Sequence, residues 1–352
     1  MPGPRKKGAG TRNVEHKRME TNMQHPKQAG KAPRQSARRD FLKAGAALGA
    51  ASLAGCAHTG AAPAAKVVYD PAAKFELTVS EVEYRRTAKG RALMARIYRP
   101  QGPGPFPVLL DLHGGAWNAK DRLAEQPMNR AIAQSGVLVV AIDLTLASEA
   151  PYPANVLDAN YGVRWLKAKA AEWNGDPATL GVYGSSSGGH VAELLALRPD
   201  DARYNALPLA GGAAINARVA YIATRSPISD TWMRYQNAEE KKRANMINNN
   251  KAYFVPWDTI HESNPREILA RGEKVGMVPM LIMQGALDDN MLPRFQQGFV
   301  AACKAAGADV SYTEFEGSVH EWVAEPGPQT IRAQEMVKAY IARQLAAGRR
   351  AV

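Results

Sequence analysis

Gly184-Ser185-Ser186-Ser187-Gly188 sets a serine midway between two glycines. Residues 180–183 before it read as a buried strand, and residues 188–197 after it as a helix, so the serine belongs on a sharp strand-to-helix turn. Nucleophilic chemistry needs that spacing. Gly184 and Gly188 let neighbouring backbone approach, and the Ser186 hydroxyl is thrust above the sheet edge. The new helix turns its free N–H groups toward an oxyanion developing on a substrate, with the Ser187 amide among them. Ser187 is the alternative nucleophile, through the looser Ser-Gly-Gly pattern. Ser186 is preferred because both its flanking positions are glycine.

Asp111-Leu112-His113-Gly114-Gly115-Ala116-Trp117 follows a second buried run, 108–112. Here the chain resembles the α/β-hydrolase esterases of the acetylesterase, hormone-sensitive-lipase-like and feruloyl-esterase-like branch. The resemblance implies an oxyanion hole built from the backbone of Gly114, Gly115 and Ala116 together with Ser187. Ala116 stands where a third glycine is common. His113 belongs to the loop motif and reads as a structural hydrogen-bonder. Trp117 is either a wall of the substrate pocket or a core residue. Gln284-Gly285-Ala286-Leu287-Asp288 is similar to the family's Gly-x-x-Asp loop, implying that Asp288 is the acid, with Asp289 the alternative. Gly317-Ser318-Val319-His320-Glu321-Trp322 keeps the family's Gly-x-x-His-x-aromatic spacing. Of the seven histidines, His320 is the one placed to be the base, and the order Ser, Asp, His is the expected one.

The implied activity is serine hydrolysis of carboxylic esters, on small or polymeric substrates, through an acyl-enzyme. A peptidase or amidase using the same triad is one alternative, although no propeller-length N-terminal domain is present. A non-catalytic binding module on a hydrolase fold is the other. No Cys/His cluster has metal-ligand spacing, and the chemistry calls for no organic cofactor. Arg225-Ser226-Pro227-Ile228-Ser229-Asp230 matches no catalytic motif, and Glu321 reads as a solvated or capping acid.

These residues need a scaffold that brings strand ends together. Alternating patterns and short apolar runs predict strands at 75–84, 92–98, 108–112, 137–142, 180–183, 218–223, 278–283 and 310–315. The first two read as an antiparallel pair. Helices are predicted at 123–134, 155–173, 188–197, 294–305 and 329–345. This alternation predicts the α/β class: an α/β-hydrolase fold with a mostly parallel sheet of about eight strands, helices on both faces, and a catalytic domain over 73–348. The rhythm breaks at 225–276, where Trp232, Tyr235, Tyr253, Phe254 and Trp257 lie among charges. An insertion of that kind reads as a lid over the site.

The formal charge of +12 suggests a nucleic-acid partner until it is divided along the chain. Residues 1–55 hold 12 lysines and arginines against three acids, and the remainder is nearly balanced, so no nucleic-acid partner is expected. Residues 1–37 are too polar to bury a core. Arg38-Arg39-Asp40-Phe41-Leu42-Lys43 and the Ala/Gly-rich run after it resemble a bacterial twin-arginine export signal, with Ala37 where serine or threonine is usual. Leu53-Ala54-Gly55-Cys56 resembles a lipoprotein cleavage box, which implies a lipidated Cys56, attachment to a membrane, and a periplasmic or envelope location. A cleaved leader without lipid is the alternative. Residues 57–72 read as a tether, and Cys303 as a buried thiol without a disulfide partner. Oligomeric state is left open.

Overall fold

The computed structural model describes residues 67–351 except 210, 212 and 213. The leader at 1–56, with Arg38, Arg39 and Cys56, and most of the tether lie outside the described residues. Among the described residues the strands are β1 (Leu77–Arg86), β2 (Ala92–Pro100), β3 (Val108–Leu112), β4 (Leu138–Ile142), β5 (Gly181–Ser185), β6 (Ile222–Arg225), β7 (Met280–Gly285) and β8 (Val310–Phe315). The helices are α1 (Gln126–Gln134), α2 (Ala154–Lys169), α3 (Ser187–Leu197), α4 (Thr231–Glu240), α5 (Ala244–Tyr253), α6 (Thr259–Glu262), α7 (Pro265–Ala270), α8 (Pro293–Ala305) and α9 (Pro328–Ala346).

The strands form one sheet in the order β1-β2-β4-β3-β5-β6-β7-β8. β1 and β2 pair antiparallel, β2 meets β4 antiparallel, and every pair from β4 to β8 is parallel. This is the expected α/β-hydrolase arrangement. β3, β4, β5, β6 and β7 are buried at every position, as strands covered on both faces must be, and apart from the end of β6 they are mainly apolar. β1, at the sheet's edge, alternates instead. The chain leaves β3 in one direction toward β4 and crosses back in the other toward β5. Right-handed crossovers therefore put α1 and α2 on opposite faces. α1 packs against α9, and α2 against α3.

Most predicted elements match to within two or three residues at either end, and two differ more. The strand placed at 218–223 runs instead over Ile222–Arg225. The earlier apolar residues are its approach, where the Ala220 N–H donates to Leu180 O at 2.9 Å and Tyr221 O accepts from the Val182 N–H at 3.0 Å. The helix placed at 155–173 ends its α-helical part at Lys169 and tightens to a 3₁₀ turn over Ala170–Trp173, stopped by Asn174 at φ 61°.

Candidate active site

A reversal of strand order opens a crevice where loops leave the sheet in opposite directions, at the carboxyl ends of the strands flanking the switch. Here those strands are β3 and β5, and their outgoing loops carry His113–Trp117 and Ser186. Ser186 sits between β5 and α3 with φ 50° and ψ −117°, a conformation that costs about 1–3 kcal/mol for a residue with a Cβ. Its neighbours hold it there. The Ser186 N–H donates to Arg225 O at 2.9 Å, and its carbonyl accepts from the N–H groups of His190 and Ile228, both at 3.1 Å. The flanking glycines are needed for close approach rather than for φ. A Cβ on Gly188 would lie 2.0 Å from Leu112 O, and one on Gly184 would lie 2.6 Å from Gly188 O.

The imidazole of His320, in the loop after β8, meets Ser186: its Nε2 is 2.9 Å from Ser186 Oγ. Its Nδ1 is 2.8 Å from Asp288 Oδ2. A carboxylate can only accept, so Nδ1 carries the proton and Nε2 is free to accept the serine's. Asp288 is buried, and both its oxygens are satisfied. Oδ1 accepts from the N–H groups of Asn290 at 2.9 Å and Met291 at 2.8 Å, and Oδ2 also accepts from Gln284 Nε2 at 2.9 Å. Burial pushes this carboxyl up, but the bond and charge of His320 and the Met291 amide more than reverse that, so it lies below its ordinary value. Asp289 points away, paired with Arg243 at 2.6 Å.

The loop after β3 is wound left-handed over three successive residues, Gly115 at φ 106°, Ala116 at φ 51° and Trp117 at φ 62°. It is fastened to the turn that carries Ser186 by the Trp117 N–H, which donates to Ser187 Oγ at 3.2 Å. That bond gives the Ser187 hydroxyl a structural task, while Ser186 is the serine that reaches His320. Among the described residues, the amides of Gly115, Ala116 and Ser187 find no acceptor. His113 is buried and structural: Leu144 N–H donates to its Nε2 at 3.2 Å, which leaves Nδ1–H for Gly114 O at 2.7 Å. Burial holds it below the usual histidine range.

Trp117 lies in the core, 3% exposed, beside a void of only about 10 Å³. It stacks on Tyr253 at 4.4 Å and meets His190 and Phe254 edge-on. Its Nε1–H donates to His190 Nδ1 at 3.3 Å, and His190 Nε2–H donates to Ser263 O at 2.8 Å. The 225–276 stretch therefore contains four helices, α4 to α7, and its Tyr253 and Phe254 are packed into the same core as the oxyanion loop. Glu321 is exposed, as expected, and stands at the N-terminus of the 3₁₀ turn Trp322–Ala324; its carboxylate does not cap that turn but pairs with Lys120 of that loop at 2.6 Å. Gln284, which helps hold Asp288, carried no motif signal beyond ending a strand. The cleft lined by Arg198, Asp200, Asp201, Arg218 and Glu273 lies at the far end of α3 from Ser186. Among the described residues no group of three or more His, Cys, Asp or Glu is placed to hold a metal ion.

The family model BD-FAE matches residues 96–300. The carboxylesterase NlhH of Mycobacterium tuberculosis is 38% identical over 92 residues, covering 26% of this chain and 29% of NlhH. The esterase LipQ of the same organism is 24% identical over 262 residues, covering 71% of this chain and 58% of LipQ. Less than two thirds of either relative's length is thus spanned. A solved structure of a thermophilic esterase from Thermogutta terrifontis, Est2 with propionate bound, superimposes with a TM-score of 0.59 at 20% identity, over 77% of this chain and 94% of that one.

Proposed function

The chain belongs to the BD-FAE family, and from that premise we propose that it is a serine hydrolase cleaving carboxylic esters through an acyl-enzyme. The observation that carries the proposal is the continuous hydrogen-bond chain from Asp288 Oδ2 through His320 to Ser186 Oγ, at 2.8 and 2.9 Å.

In this reading Ser186 Oγ attacks the ester carbonyl carbon while His320 Nε2 takes its proton. Asp288 stabilises the imidazolium without taking the proton itself. The carbonyl oxygen becomes an oxyanion and accepts from the amides of Gly115, Ala116 and Ser187, each donor contributing about 10²–10³ in rate. Collapse breaks the bond to the alcohol oxygen, which leaves with the proton from His320. Water then gives a proton to His320 and attacks the acyl carbon, and the carboxylic acid departs as Ser186 regains its hydrogen.

Labelling of the leaderless protein by a fluorophosphonate, absent in Ser186→Ala, tests the nucleophile. The same substitution is expected to lower kcat by about 10⁴–10⁶. Unchanged turnover in that variant refutes the assignment. Comparing p-nitrophenyl acetate with an aminoacyl p-nitroanilide separates esterase from amidase. The propionate described on Thermogutta Est2 makes short acyl esters the first class to assay.

The leader extends the proposal to location: the paired arginines at 38 and 39 direct export, and a lipidated Cys56 holds the enzyme at the cell envelope. Cys56→Ser should move the protein from the membrane to the soluble fraction of cells. An unchanged distribution removes the lipid anchor from the reading.

A further inference from the structure

The segment Arg225-Ser226-Pro227-Ile228, which the triad leaves unexplained, touches both reacting residues. Its main chain brackets the nucleophile: Arg225 O accepts from the Ser186 N–H at 2.9 Å, and the Ile228 N–H donates to Ser186 O at 3.1 Å. The Arg225 side chain reaches the base's loop, where Nη1 donates to His320 O at 2.5 Å. Nη2 donates to Glu125 Oε1 at 2.8 Å, and the guanidinium lies 5.7 Å from the centre of the Trp322 ring. Arg225 is 2% exposed, so the fork is held dry and in one orientation.

His320 needs such a hold. It lies beyond the end of β8, outside any sheet ladder. Its imidazole bonds fix the ring's direction, but the backbone that carries the ring needs a restraint of its own. Arginine suits the task because it stays protonated and offers several donors in one plane, so it anchors a carbonyl without competing for the catalytic proton. Its charge is also balanced locally. Asp111, the other buried acid of the cluster, is pushed up to about 8, chiefly by burial and then by Glu125. At neutral pH it is therefore protonated, and Glu125 and Arg225 form a neutral pair that does not repel an imidazolium. Stability alone is a weak reason for such a pair, since buried ion pairs often gain little over apolar residues of similar volume.

We propose that Arg225 is a positioning residue that sets the separation of Ser186 and His320, registering the nucleophile through its main chain and the base through its guanidinium. The inference rests on the esterase reading above.

The test uses Arg225→Met, which keeps length and packing without a donor, and Arg225→Lys, which keeps a charged donor. Each is assayed with p-nitrophenyl acetate and for the rate of fluorophosphonate labelling, with circular dichroism and melting as fold controls. A displacement of 1 Å in a reacting group costs about 10²-fold. Arg225→Met should therefore lose about 10²-fold in kcat and in labelling rate at unchanged KM, and Arg225→Lys should recover about tenfold of that. A folded Arg225→Met with wild-type kcat, or a loss confined to KM, overturns the proposal. If Arg225→Met does not fold, Arg225→Lys decides alone: a drop in kcat at constant KM supports the proposal, and wild-type kcat overturns it. A wild-type protein that neither turns over the ester nor takes the label overturns the esterase reading and this one with it. An active wild type beside an unimpaired variant overturns this one alone.

Discussion

Adding one methyl group at Gly188 should disable the enzyme by pushing apart the two loops that hold the substrate. The Cβ would stand 2.0 Å from Leu112 O, where ordinary contact begins at 3.4 Å, so about 1.4 Å must be found by movement. The obstruction is main chain at the root of the oxyanion loop, with His113 O also 2.5 Å away, and no flexible side chain can yield instead. A shift of about 1 Å in catalytic geometry costs about 10²-fold, so Gly188→Ala should lose at least that in kcat/KM. Overpacking should also destabilise it by about 1–3 kcal/mol. At Gly184 the nearest atom is 2.6 Å away, a shortfall of about 0.8 Å, and Gly184→Ala should be the milder of the two. Gly276 is the control. A Cβ there would meet Ala196 O at the same 2.6 Å, but beside the C-terminal end of α3, away from Ser186. Gly276→Ala should lower the melting temperature while leaving kcat/KM nearly intact. Initial rates on p-nitrophenyl acetate, paired with thermal melts, read all three. Equal activity losses for Gly184→Ala and Gly276→Ala, or an active Gly188→Ala, would refute the steric argument.

Asp288→Asn keeps the shape but removes an obligate acceptor from His320 Nδ1–H, and kcat should fall about 10⁴-fold with the fold intact; a loss under tenfold contradicts the assigned role. Asp111 sets a pH dependence of stability. Its carboxyl titrates near 3.9 when unfolded but at about 8 in the fold, mainly because it is buried. The folded state therefore holds the extra proton between those values, so the contribution of this group to stability is full below about pH 4, falls as pH rises, and levels off above 8. At 1.36 kcal/mol per unit over about four units, that contribution is about 5 kcal/mol. Asp111→Asn should flatten that slope in urea melts at pH 5, 7 and 9, and an unchanged decline refutes the assignment. Ala116 carries φ 51°, so Ala116→Gly should relieve about 1 kcal/mol of left-handed strain, partly offset by the freer unfolded chain. A fall in melting temperature would count against that strain.

Ser186, Asp288 and His320 were legible as a group because each follows a strand end in a turn that tolerates few residue types; the strands before Ser186 and Asp288 are buried throughout, whereas β8 alternates polar and apolar residues. β6 was less legible for the opposite reason. Thr224 and Arg225 are buried yet polar, so a search for continuous apolar residues ends the strand too early. Trp117 could not be resolved between pocket and core, because the residues that cover it, Tyr253 and Phe254, come from an insertion whose packing has no period to read. Arg225 lay in plain sight without a motif. Its partners Glu125 and His320 are 100 and 95 residues away in sequence, and only the folded sheet brings them together.

β8, the edge strand opposite β1, leads into the loop that delivers His320 to a serine 134 positions earlier in the chain. Such long-separation pairings are slow to form. Helices and the inner strands can assemble in a nascent or refolding chain while it remains inert toward esters. Regain of hydrolysis should trail regain of helical signal, making turnover a reporter for the docking of the last strand. A proteolytic cut just past residue 315 would sever His320 from the chain while sparing every residue of the sheet.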